Sequence, residues 1–190
     1  MKKLISLLSL IILALAANAI YADPIIDKIE TAGKNRAKIT GQFTQTKTSS
    51  AGKVTETKKG TLTFTLADNK LEMKYTSPKG DYFCTGGDKM TMTKSGKTLE
   101  FNLTKNALMR SLSNLLTNSF AGRIKQIEKD NDVSVATSSN SDSYTITFTS
   151  KKKVVKGYSS IVLTYDKTKL QLKKMKLEEW TGQVTTYELN

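Results

Sequence analysis

The stretch 60-GTLTFTLADNKLEMKY-75 alternates apolar and polar residues on both sides of a short turn. Leu62, Phe64 and Leu66 share one face, with threonines between them. Leu71, Met73 and Tyr75 do the same, with Glu72 and Lys74 between them. A period of two marks a strand with one dry face and one wet face. Two such runs joined by a polar turn read as a hairpin.

The same pattern extends outward in both directions. Upstream, Ile39, Gly41, Phe43 and Gln45 alternate with Lys38, Thr40, Gln42 and Thr44, and residues 49–52 form a turn. Downstream come a turn at 78–80, a short strand at 82–85 and a turn at 86–88. Met90 and Met92 then alternate with threonines, and residues 95–97 turn into Leu99, Phe101 and Leu103. Alternation returns at 133–136. It continues through Tyr144, Ile146 and Phe148, then Ile161, Leu163 and Tyr165, then Leu170 and Leu172, and ends in a hairpin turning at 181–182. This predicts about ten short strands in an antiparallel meander.

Two segments carry the helical period instead. Residues 23–36 have Asp23 as cap, Pro24 in the first turn and Ile25, Ile26 and Ile29 on one face. Residues 104–119 place Leu108, Leu112, Leu115 and Leu116 on one face, with Thr104 as the expected cap. Residues 123–132 read as a connection with some strand character, and 137–143 as a loose polar loop. No fixed-period repeat or domain break interrupts the chain.

A broad sheet with one dry face twists and curls until that face is concave. Two short amphipathic helices cover such a face incompletely. The expected result is a mainly β fold of one domain, residues 23–190, with a hydrophobic hollow under a helical lid.

The 190-residue chain opens with Lys2 and Lys3, an apolar run over 4–17 and small residues at 17–19 and 22. This is the pattern of a secretory signal peptide, assigned to residues 1–22. The expected location is therefore periplasmic. No cysteine lies near the cleavage region, which excludes lipid attachment there.

Composition narrows the chemistry. There is no histidine, which removes histidine general bases. The single cysteine, Cys84, allows no internal disulfide and is assigned to packing. Ser150 and Lys153 have the spacing of some acyl-transfer enzymes, but they sit in a lysine run where that spacing arises by chance. Glu178 and Glu179 are adjacent and point to opposite faces of a strand. These features predict a binding protein with no catalytic residues, metal or cofactor. The net charge of +13 comes almost wholly from lysine, with only Arg36, Arg110 and Arg123 as arginines. Nucleic acid is disfavoured, because arginine supplies the planar contacts to phosphate and guanine. Anionic lipid headgroups or an acidic partner fit better.

The stretch Phe43-Thr44-Gln45, the turn at Gly52 and Gly60-Thr61-Leu62 resemble the start of the LolA family of periplasmic lipoprotein carriers. Leu71, Tyr75, Pro78 and Gly87 fit its following strands and turns. The helix bearing Leu108 to Leu116 sits where that family has its lid, and Trp180, Gly182 and Tyr187-Glu188-Leu189 resemble its last hairpin. The resemblance implies a half-open β-barrel closed by a helical lid, with a cavity for lipoprotein acyl chains. It also implies a monomer that works with an inner-membrane release complex and an outer-membrane acceptor, with transient membrane contact. Where the family's carriers often have an arginine followed by proline late in the second strand, this chain has Ala67 and Asp68.

The expected lipid-binding residues are the inward apolar positions Phe43, Leu62, Phe64, Leu71, Met73, Tyr75, Met90, Met92, Leu99, Phe101, Phe148 and Leu163, with the lid residues Leu108, Leu112, Leu115 and Leu116. A cavity wall and a filled core have the same pattern. An exported structural or partner-binding β-domain with a filled core is therefore the alternative reading.

Overall fold

The computed structural model describes residues 23–153 and 157–190. The signal-peptide assignment lies outside these residues.

Helix α1 spans Pro24–Lys34, and the Asp23 side chain accepts from the Ile25 amide at 2.8 Å. Six strands follow: β1 (Lys38–Thr48), β2 (Val54–Thr65), β3 (Lys70–Ser77), β4 (Lys79–Gly86), β5 (Lys89–Lys94) and β6 (Lys97–Asn102). Helices α2 (Ala107–Ala121) and α3 (Ile124–Asp130) lead into β7 (Val133–Ser139), β8 (Ser143–Ser150), β9 (Tyr158–Asp166), β10 (Leu172–Glu179) and β11 (Val184–Leu189).

All eleven strands form one antiparallel sheet in the order β6-β5-β4-β3-β2-β1-β11-β10-β9-β8-β7. Two meanders are therefore stitched together by the pairing of β1 with β11, and the sheet ends at β6 and β7 without closing. This is the expected half-open barrel. Its inner face carries the core, with Phe43, Phe64, Leu71, Met90, Phe148, Leu163 and Tyr165 buried. Threonines and lysines occupy the outer face.

The helices close the inner face. Gly33 of α1 lies against the end of α2, where a Cβ would collide with the Ala121 carbonyl oxygen. Gly122 ends α2 in the left-handed conformation at φ 71°, a position that favours glycine. The crossing of α1 and α2 therefore depends on two residues without side chains.

Four local expectations are corrected. The cap of α2 is Asn106, whose side chain accepts from the Met109 amide at 3.1 Å, in place of Thr104. Residues 124–130 are helical because Ile124 and Ile127, three apart, both bury; a segment of seven residues is too short for that period to stand out. Residues 137–139 belong to β7, paired with Thr145 and its neighbours on β8. This edge strand is polar because part of it faces solvent, so its serines and threonines read as a loop. Leu170 lies in the turn before β10 at φ 53°, and a register shift after Leu172 brings Met175 inward three residues later.

Candidate functional site

Helix α2 has two unlike halves. The stretch from Ser113 to Ala121 is pinned. Tyr165 Oη donates to the Ser119 carbonyl at 2.7 Å, Asn69 Nδ2 donates to Thr117 Oγ1 at 3.4 Å, and the hydroxyls of Thr85 and Ser113 meet at 2.6 Å. Residues 107–112 have no side-chain hydrogen bond to a strand among the described residues, and their one side-chain tie is Arg110 Nη1, which donates to the carbonyls of Leu103 at 3.1 Å and Thr104 at 3.3 Å just past β6. There Leu108 is 44% exposed, and Met109 and Leu112 are half-buried.

Two hollows flank this loose half. The first has a volume of about 550 Å³. Leu108, Met109, Leu112 and Leu115 of α2 face Val133, Tyr158, Ile161 and Trp180 across it. The second, about 260 Å³, lies over the middle of the sheet, between Met73, Tyr75, Phe83 and Met92 on one side and Leu177 and Tyr187 on the other. Leu112, Tyr158 and Glu179 belong to both walls. The first volume falls within the range of small-molecule pockets.

The sixteen expected lining residues separate into three groups. Leu108, Leu112, Leu115, Leu116, Met73, Tyr75 and Met92 line one hollow or both. Phe43, Leu62, Phe64, Leu71, Met90, Phe148 and Leu163 are buried in the core and line neither. Phe101 is half-buried against the core. Leu99 is 59% exposed on the edge strand, directly across from Met92, which is itself 37% exposed. Burial alone does not make the division, because Met73, Leu115 and Leu116 border a hollow and are still only 3–4% exposed.

The expectation that Cys84 is a buried packing residue is corrected. It is half-buried on the outer face, between Glu72 and Thr91 of the neighbouring strands. Ser150 Oγ donates to the Lys152 carbonyl at 2.7 Å and has no bond to Lys153.

Sequence reasoning missed the polar part of the second hollow. Lys58 and Asp81 are 8% and 6% exposed, and Lys58 Nζ donates to Asp81 Oδ2 at 2.7 Å. Asp81 Oδ1 accepts from the Ser95 amide at 2.9 Å. These two bonds, the lysine's first, hold the Asp81 carboxyl below the usual carboxylate range. Lys58 Nζ also lies 3.5 Å from Glu56 Oε1 and 5.2 Å from the centre of the Tyr75 ring. Tyr75 Oη donates to Gln45 Oε1 at 2.9 Å. Burial pushes the hydroxyls of Tyr75 and Tyr187 up, and that of Tyr158 up to about 12. All three remain neutral donors at ordinary pH. The available signal was parity: Gln45 and Lys58 fall on the same face as Phe43 and Leu62. Among the described residues no cluster of acidic, cysteine or histidine side chains could hold a metal, and no helix is long and apolar enough to cross a membrane.

The family profile described as outer membrane lipoprotein carrier protein LolA matches residues 34–190. The chain belongs to the LolA family. Among solved structures, this LolA-family chain is similar to a LolA superfamily protein from Nitrosomonas europaea, at 10% identity and a TM-score of 0.40, covering 90% of this chain and 92% of that one. It is also similar to the lipoprotein LppX of Mycobacterium tuberculosis, at 11% identity and a TM-score of 0.44, with 89% and 95% covered. LprF from Mycobacterium bovis is a third, at 12% identity and a TM-score of 0.35, with 87% and 90% covered. No curated protein matches the sequence.

Proposed function

We propose that this LolA-family chain is a periplasmic carrier without catalytic activity. It takes up the acyl chains of lipoproteins or lipids in the first hollow and moves them from the inner toward the outer membrane. The observation that carries this reading is the mainly apolar volume of about 550 Å³ beside residues 108–112 of α2, whose walls also carry Asp130, Asp132, Lys152 and Glu179. An acyl chain gains about 0.8 kcal/mol for each methylene removed from water. The half-exposed leucines of α2 would trade contact with water for contact with the chain. Because the helix is tied to the strands only from Ser113 onward, residues 107–112 can lift while the C-terminal stretch keeps the fold closed.

Handover needs a carrier that holds its cargo about as well as the membranes on either side. The chain would act as a monomer, receiving cargo from an inner-membrane release complex and yielding it to an outer-membrane acceptor. The lysine-rich surface suits brief contact with anionic headgroups.

Native mass spectrometry of the protein purified from its own periplasm tests the reading. The expected spectrum shows a processed chain starting near Ile20 or Asp23, carrying an acylated species that dissociates on activation. A ligand-free spectrum, with no uptake of added long-chain lipid, would sink the carrier reading. A soluble product retaining Met1 would sink the location.

A further inference from the structure

The second hollow has a wall more polar than burial of hydrocarbon requires. Gln45 points inward from β1, only 7% exposed, and Tyr75 Oη occupies its Oε1 at 2.9 Å. That bond fixes the amide, so the two N–H bonds of Nε2 are left over, with no partner among the described residues. Tyr187 stands directly across from Gln45 in the β1–β11 register. The hydroxyls of Tyr187 and Tyr158 also have no partner among the described residues, and both residues line this hollow. Neutral donors thus gather on β1, β11 and β9 beside the shared wall at Leu112.

The charges nearby do not favour an anion. Lys58 is already engaged by Asp81, Glu56 and the face of Tyr75. Around the hollow, Lys47, Lys58 and Lys94 are balanced by Glu56, Asp81 and Glu179. A carboxylate or phosphate would lose its hydration beside Glu56, Asp81 and Glu179, where each lysine already has a carboxylate within 3.8 Å. A neutral carbonyl, which only accepts hydrogen bonds, fits the left-over donors.

We propose that the second hollow is a carbonyl subsite. Gln45 Nε2 and the hydroxyls of Tyr187 and Tyr158 donate to the neutral ester or amide carbonyls of acyl groups whose chains lie in the first hollow. This rests on the carrier reading and deepens it. The protein selects acyl-linked chains over hydrocarbon of equal length.

The test displaces a fluorescent apolar probe with a long-chain monoacylglycerol or with the alkylglycerol ether of the same length, which lacks the carbonyl. The ester is expected to bind at least about fivefold tighter, the size of one neutral hydrogen bond. In the double variant Gln45→Leu/Tyr75→Phe, which removes the amide without freeing a hydroxyl, the preference for the ester shrinks, and adding Tyr187→Phe and Tyr158→Phe makes the two lipids bind alike. If that variant does not fold, Tyr187→Phe with Tyr158→Phe serves the same comparison. Equal binding of ester and ether by the native protein overturns the subsite alone. So does a preference that is undiminished in the folded variants. Binding of neither lipid overturns the carrier reading, and the subsite with it.

Discussion

Lys58 Nζ and Asp81 Oδ2 are 2.7 Å apart on adjoining parts of the inner face, with both side chains withdrawn from water. Removing one partner of a buried pair leaves the other charge without compensation. Asp81→Ala is therefore expected to cost about 3 kcal/mol in urea unfolding, while Lys58→Met/Asp81→Leu recovers most of that loss. A single variant as stable as the native protein would show that Glu56, at 3.5 Å, suffices for Lys58.

The same pair sets a pH dependence. The folded-state pKa of Asp81 is lowered by its bonds to Lys58 and Ser95. The unfolded chain therefore takes up this proton at higher pH than the folded chain does. The stabilisation is complete above the ordinary carboxylate pKa of about 3.9 and is lost as pH falls through the depressed folded value. Melting midpoints should drop on acidification below about pH 4, with a shallower drop for Asp81→Asn. Parallel curves for the two proteins would remove Asp81 from the acid response.

Leu112 lines both hollows from the loose half of α2. Leu112→Glu should leave the sheet folded, because the helix can turn the carboxylate to water. Affinity for an apolar probe should fall about tenfold, the equivalent of losing one buried leucine side chain. Global unfolding in the melting curve would favour a filled core instead.

Gly33 and Ala121 approach too closely for any side chain. Gly33→Ala is expected to destabilise by about 3 kcal/mol and to lower the unfolding midpoint by roughly 6–12 °C. The neighbouring exposed Lys34→Ala should be nearly silent in the same scan.

Cys84 lies on the outer face, away from both hollows. Cys84→Ser should change probe affinity less than twofold. A tenfold loss with the fold preserved would give the thiol a role at a distance.

The strands were legible because each repeats a two-residue period against solvent, as in 60–66 and 71–75. The stripe Leu108, Leu112, Leu115 and Leu116 was legible for the matching reason on a helix. The split of inward residues between core and hollow was not. Phe43 and Met73 obey the same alternation and are both buried, yet only Met73 borders a hollow. The carbonyl-facing corner was harder still. Gln45 and Tyr187 are far apart in sequence, and no local pattern announces that β1 and β11 are neighbours. The helix at 124–130 escaped notice because two isoleucines do not establish a period.

The pairing of β1 with β11 also fixes when the molecule can become itself. The described strand latest in the sequence hydrogen-bonds the earliest, with Gln42 and Asn190 exchanging both backbone bonds. Until that strand is made, the two meanders are separate half-sheets, each with an open edge and part of an apolar face. Contacts so distant in sequence form slowly. The two meanders therefore become one sheet, with one continuous inner face, only once β11 is available to pair with β1.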